Sequence, residues 1–359
     1  MGANVLTSWM PAQVRSNLTL LFLVGLGIPT AIFLALQLGN NPALFFQTLM
    51  KSLGLGSVYA IIALGFVLIF KATQTINFAQ GGMAAAGALF VSFAVADENI
   101  PFTTIHNPLI DINPTWLGWG LSVLVALSFA ALMGLIIERV VLRPMIGEPL
   151  FSVAVITLGL EIVLRVFNAD ATRVDIRQVN APWGAGGFDV GGALINWAYI
   201  AAMITAGAAF VAVFFFYRSR MGISMRAVAY DQEAAMAQGI NVGRVFAIAW
   251  GAGAVLAAIG GLFATGPPVG YSGGVDETTA NIAFRALPAV ILGGLDSATG
   301  ALLGGLTIGL IEIFAGQYAA GEVGLLGAGY PLIIPYVVMM IGLVIRPYGM
   351  FGTPEIRRV

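Results

Sequence analysis

The chain has 359 residues, of which 59% are hydrophobic and 9% charged, and its net charge is −1. A water-soluble domain carries about 25% charged residues. So little charge could not cover the surface of a soluble fold of this length, so the composition places the chain in a bilayer. The near-neutral balance gives no electrostatic footprint for nucleic acid. Cysteine is absent, which excludes disulfides, thiolate metal sites and a cysteine nucleophile, and the single His, His106, leaves no imidazole cluster to hold a metal.

A membrane span needs roughly 20 apolar residues to cross about 30 Å of hydrocarbon. Met1 to Asn17 carries one basic residue, Arg15, and is followed by the apolar run Leu18–Leu38. That run exceeds a signal-peptide core of roughly 7–15 residues, so it reads as a permanent first span. Further candidates are Leu53–Phe70, Phe78–Ala96, Trp116–Ile137, Leu150–Phe167, Ala193–Phe216, Val245–Thr265, Ala298–Phe314 and Leu332–Ile345. Ile282–Leu295 is shorter and broken by Arg285, Pro288, Gly293 and Gly294, so it reads as a short, kinked or half-crossing helix. The expected fold is an all-α, polytopic transmembrane bundle of about ten segments, one of them short or broken. It forms a single membrane domain over residues 1–359, with a polar loop at 218–244.

Lys and Arg in short loops set orientation. With ten crossings, Arg15, Arg139, Arg143, the Arg218–Arg244 loop, Arg346, Arg357 and Arg358 all fall on one side. This predicts a multi-pass protein of the inner (plasma) membrane with both termini in the cytoplasm. The opposite side receives Asp97–Thr115, Asn168–Gly192 and Gly266–Asn281, where Arg173 and Arg177 are diluted by Asp170, Asp175 and Asp189. His106 lies in the first of these outer loops.

The polar loop reads RSRMGISMRAVAYDQEAAMAQGINVGR. Ser224 is an N-cap residue type and Gly239 suits the left-handed position after a helix. Between them, Met225–Gln238 is expected to form one helix of about 21 Å at 1.5 Å per residue. Met225, Ala229, Gln232, Met236 and Ile240 would form one stripe, and Arg226, Tyr230, Glu233 and Ala237 another. Such a helix lies either on lipid headgroups or in a protein groove. The weak, alanine-rich stripe favours the groove.

Three stretches carry a family resemblance. DQEAAMAQGINVGRVFAIAW, Asp231 to Trp250, resembles the cytoplasmic coupling segment of ABC importer permeases, which docks on an ATPase subunit. GLGSVYAIIALGFVLIFKATQTINFAQGGMAAAGA, Gly54 to Ala88, is similar to a segment of the branched-chain amino acid permeases. RALPAVILGGLDSATGALLGGLTIGLIE, Arg285 to Glu312, resembles another segment of the same family. Gln80 stands where that family often has His, and Gly82 where it often has Glu. The resemblance implies a permease subunit that pairs with a second, related permease. It also implies two separate ABC ATPase subunits and an extracytoplasmic solute-binding protein. Contacts with the ATPase are implied for Arg226, Tyr230, Asp231, Glu233, Ala234, Ala235 and Gly239. The solutes implied are branched-chain amino acids, or similar small polar molecules such as urea and short amides.

Polar residues within the spans are the remaining candidates, because ionisable groups there are unfavourable by about 2.5–3.5 kcal/mol and face a bundle interior or a pathway. Glu161 and Arg165 are four apart on one helix face, with Thr157 one turn earlier. They form either a structural clamp or a polar wall of the path. Thr73, Asn77 and Gln80 would share a helical face, as path residues or as interhelical hydrogen-bonders. Glu312 is open to the same two readings. GGMAAAGALF and GGLDSATGALLGG begin with the pairs Gly81–Gly82 and Gly293–Gly294, marking helix breaks at related places in two halves. Asp296 and Ser297 are read as helix caps.

No G-x-x-x-x-G-K-[ST] stretch is present, so ATP would be bound by partner subunits and the chain itself needs no cofactor. No HExxH or GxSxG motif points to an enzyme. The alternative function is a stand-alone, ion-coupled secondary transporter or channel. The coupling-type helix separates the two readings, because an ion-driven carrier has no use for it.

Overall fold

A computed structural model describes residues 28–101, 103–112, 115–172, 176–266, 269, 273–318 and 329–353. Arg15, Arg173, Asp175, Arg357, Arg358 and residues 18–27 of the Leu18–Leu38 span lie outside the described residues. Among the described residues the fold is all-α apart from one small hairpin. Its first helices are α1 (Ile28–Asn40), α2 (Pro42–Thr73), α3 (Gln80–Ala96), a short α4 (Pro108–Ile112), α5 (Trp116–Ile137) and α6 (Leu150–Thr172). The hairpin β1 (Gly187–Val190) and β2 (Ala193–Asn196) precedes α7 (Trp197–Arg218), α8 (Arg220–Tyr230) and α9 (Gln232–Ala237). The chain continues as α10 (Val242–Thr265), α11 (Asn281–Gly293), α12 (Ala298–Tyr318) and α13 (Tyr330–Ile345).

Six helices among the described residues are long and apolar enough to cross a membrane: α2, α5 with its extension to Met145, α6, α7, α10 and α12. Among the described residues α3, α11 and α13 are shorter apolar helices. Several spans differ from the sequence expectation at their ends. The segment expected at Leu53–Phe70 belongs to a helix of 32 residues, about 48 Å at 1.5 Å per residue. It starts early because Asn41 accepts from the Leu44 N–H at 3.0 Å and Pro42 occupies the first helical turn, where its missing N–H does no harm. Exposed Lys51 is carried within that extension. The span expected from Ala193 begins instead with β2, and its helix starts at Trp197, where Asn196 accepts from the Ala198 N–H.

Helices α2 and α10 form the buried centre. α2 packs against α7, α10, α11 and α12; α10 also packs against α3 and α5. Small residues make the α2–α12 contact possible, as in other membrane helix pairs. A Cβ on Gly305 would meet the Ala60 backbone N at 2.5 Å, and one on Gly56 would meet Leu306 Cα at 2.8 Å. In this close-packed seam Tyr59 Oη donates to Glu312 Oε2 at 2.6 Å. α6 lies at the periphery, against α3, with most of its apolar residues exposed.

The loops collect at two ends, as the basic-residue partition requires. At one end Arg177 pairs with Asp97 at 2.8 Å, Arg177 bridges to Val275, and Gln178 donates to the Gly273 carbonyl. His106 is exposed there, 3.0 Å from Asp111. At the other end Arg143 pairs with buried Glu138 at 3.1 Å and donates to the Gly243 carbonyl. Lys71, Arg226, Asp296 and Tyr348 share one cavity at this same basic end.

Candidate functional site

The first helix break lies between α2 and α3. Its geometry departs from the helical face expected for Thr73, Asn77 and Gln80, because the chain is not helical from Gln74 to Ala79. Gln74 takes the left-handed conformation (φ 56°) and ends α2. The polar side chains still meet: Asn77 Nδ2 donates to Gln80 Oε1 at 3.0 Å, and Asn77 Oδ1 accepts from the Ala79 N–H at 3.0 Å. Gln80 Nε2 lies 3.5 Å from the Gly253 carbonyl, halfway along α10. Thr73 turns back to the Ile69 carbonyl and to Thr75. The side chains of Thr73, Thr75, Asn77 and Gln80 are buried.

An unwound segment in a membrane protein must have its backbone groups satisfied by neighbours. One face of α6 does this. Thr157 Oγ1 accepts from the Phe78 N–H at 3.2 Å and donates to the Ala154 carbonyl at 2.8 Å. Glu161 Oε2 accepts from the Gly82 N–H at 2.6 Å, and its Oε1 is 3.2 Å from Arg165. Asn168 Nδ2 donates to the Gly82 carbonyl at 3.0 Å. The Glu161 carboxylate thus caps the positive N-terminus of α3 from a different helix. Gly82 leaves room for it, since a Cβ would meet Glu161 Oε2 at 2.9 Å and Leu164 Cβ at 2.6 Å. Gly81 and Gly82 are therefore in the first turn of α3 and not in the break itself. Gly81 is pressed against the Ala280 carbonyl, so the start of α3 meets the start of α11 inside the bundle.

The second break follows α11. That helix has 13 residues, about 20 Å at 1.5 Å per residue, so it supplies about two-thirds of a crossing. Pro288 lies inside it and has no N–H for the Phe284 carbonyl. Tyr336 of α13 donates its hydroxyl to that carbonyl instead, at 2.9 Å. Gly293 ends the helix and Gly294 (φ 109°) turns the chain. The Met350 and Phe351 N–H groups donate to the Leu292 and Gly293 carbonyls at 2.8 and 3.0 Å. Ser297 caps α12 by accepting from the Gly300 N–H. Asp296 does not cap; its carboxylate accepts from the Thr353 N–H and hydroxyl.

The polar loop is two helices and not one helix at Met225–Gln238. Ser224 is inside α8, where its hydroxyl donates to the Arg220 carbonyl; Ser219 is the cap. Asp231 breaks the helix and caps α9 by accepting from the Ala234 N–H at 2.9 Å. A short Asp side chain competes with the helical backbone in this way. Gly239 is left-handed (φ 81°), as its residue type requires, and the Ile240 and Gly239 N–H groups close onto the Ala235 and Met236 carbonyls. The buried side is Met225, Val228 and Ala235, so Met236 leaves the expected apolar stripe. Tyr230 is 81% exposed and Met236 50% exposed. Arg226, Asp231, Glu233, Ala234 and Gly239 are exposed with them. Arg226 Nη1 donates to the Tyr217 carbonyl at 2.7 Å, which ties α8 to the end of α7.

The profile of the family described as "Branched-chain amino acid transport system / permease component" matches residues 48–345. The chain belongs to this family. It is 28% identical to the high-affinity branched-chain amino acid transport system permease protein LivH of Salmonella typhimurium, over 88% of this chain and 98% of that protein. BraD of Pseudomonas aeruginosa, a permease protein of the same description, matches with the same identity and coverage. The fructose import permease protein FruF of Bifidobacterium longum is 25% identical, over 88% of this chain and 82% of that protein. The family consists of membrane transport subunits, which places the chain among ABC-type permeases.

Proposed function

We propose that this chain is the membrane-spanning subunit of an ATP-driven importer of branched-chain amino acids or chemically similar small solutes, and that α8 and α9 are its coupling element. Two ATPase subunits would dock on the α8–α9 surface at the cytoplasmic end, and a solute-binding protein would deliver solute at the end that carries Arg177. A second, related permease would complete the path, and both termini would be cytoplasmic. The observation that carries the reading is the exposed face of α8–α9. Tyr230 and Met236 stand out from it, Glu233 lies between them, and capping fixes both ends of α9. A capped, rigid helix pair transmits motion better than a frayed loop, and an exposed Tyr–Met surface fits the apolar centre of a protein interface. The similarity to both amino-acid and fructose permeases supports the transport mechanism more strongly than any one solute.

The test is ATP-dependent leucine uptake by the full complex in proteoliposomes. Glu233→Arg should lower uptake by about tenfold or more, which corresponds to roughly 1.4 kcal/mol at the docking surface. The amount of inserted chain should stay the same. Unchanged uptake in this variant would remove α8–α9 from coupling.

A further inference from the structure

At the basic end, a cavity of about 600 Å³ opens between the end of α2, α8, the α11–α12 break and the segment after α13. It is in the size range of small-molecule sites, roughly 300–1,000 Å³. Lys71, Gln74, Arg226 and Asp296 supply polar lining, and Ile291 and Leu343 are among its apolar residues. Charged and apolar side chains therefore line the same cavity.

Among the described residues the charges do not balance. Two cations, Lys71 and Arg226, face one carboxylate, and that carboxylate is engaged by Thr353 through its N–H and its hydroxyl. Arg226 uses Nη1 on the Tyr217 carbonyl. The Lys71 ammonium sits 4.4 Å from the centre of the Tyr217 ring, and among the described residues no carboxylate lies within 4.0 Å of it. An ammonium has three N–H donors, and the ring face satisfies its charge without accepting them in full. A half-buried lysine that lines a roomy cavity together with an arginine is suited to an incoming anion. The aliphatic residues Ile291 and Leu343 in the same lining are suited to a branched hydrocarbon chain.

We propose that this cavity is a solute site on the cytoplasmic side of the path, in which Lys71 and Arg226 hold the carboxylate of a small aliphatic amino acid and the Ile291–Leu343 wall receives its side chain. The proposal rests on the importer reading and on its assignment of the basic end to the cytoplasm. It adds a station that α8 itself lines. Movement of α8 would withdraw Arg226 from the carboxylate and lower the affinity at the moment of release.

The chain has two lysines, Lys51 and Lys71. Lys51 is exposed on α2 and serves as an internal control. The experiment is competitive labelling with an amine-specific acylating reagent, read by mass spectrometry, on the full complex in nanodiscs with both faces open. L-Leucine at about ten times its dissociation constant should slow acylation of Lys71 by about tenfold by mass action, while Lys51 is unaffected. Leucinol, which lacks the carboxylate, should not protect, and Arg226→Gln should abolish protection by leucine while Lys71 still reacts. Equal protection by leucinol, or by inorganic phosphate as strongly as by leucine, would overturn the assignment. So would a Lys71 that reacts at the same rate with and without leucine. Labelling does not require transport, so its failure is distinct from a failure of ATP-driven uptake.

Discussion

The break at residues 74–79 and the break at residues 294–297 both interrupt apolar helices beside a glycine pair, yet different groups hold them. The first is fixed from the side by α6, whose Thr157, Glu161 and Asn168 satisfy the Phe78 N–H and both backbone groups of Gly82. The second is fixed by backbone, the Met350 and Phe351 N–H groups on the last carbonyls of α11, with Asp296 gripping Thr353. A buried carboxylate bonded to an N–H and an arginine is strongly anchored, because losing a partner strands charge in a poorly solvating place. Backbone caps at a loop-rich end are weaker, because water can replace them. The second break also borders the cavity lined by Arg226 of α8. The contrast sets a firmly anchored first break against a second break that borders α8 and is held by weaker contacts.

The largest expected effect comes from removing the anchor. Glu161→Ala should destabilise the protein by about 1.5–3 kcal/mol, the range for a lost hydrogen bond to a charged group. The figure is below that for a fully buried pair because Arg165 is 38% exposed on its side chain. Reversible unfolding in mixed micelles measures it. Glu161→Ala combined with Arg165→Ala should be less damaging than Glu161→Ala alone, because no arginine is then stranded. Equal damage would mean that the carboxylate stabilises the protein through the Gly82 N–H alone and not as a clamp on Arg165. A smaller effect is expected at the second break. Asp296→Ala should lower stability by only about 0.5–1 kcal/mol. It should speed amide exchange at Met350 and Phe351 and leave Gly82 unchanged. If Gly82 exchanged faster as well, the two breaks would be one cooperative unit and the contrast would fail.

The sequence made much of this legible. Apolar runs located the long helices, and the spacing of Thr157, Glu161 and Arg165 placed them on one face, because helical periodicity is local. Their target could not be read. The backbone of Gly82 lies 79 residues from Glu161, and nothing local links them. Asn168 was missed because the apolar run ends at Phe167, although it lies seven residues after Glu161 on the same face. Tyr336 was hidden for a similar reason. Pro288 announces an orphaned carbonyl, but only packing shows which hydroxyl reaches it. In the polar loop Gly239 was legible from its conformational demand. Asp231 was not, because an Asp inside a helix-forming run gives no sign whether it faces solvent or turns to cap the next segment.

The account depends most on α8–α9 being covered by an ATPase subunit. The chain has no cysteine, so Tyr230→Cys creates a unique thiol at a position 81% exposed in the isolated subunit. The measurement is its rate of maleimide labelling in the complex purified in mild detergent, before and after the ATPase subunits are stripped. The account predicts slow labelling in the complex and fast labelling of the stripped chain. The same fast rate in both states would contradict it.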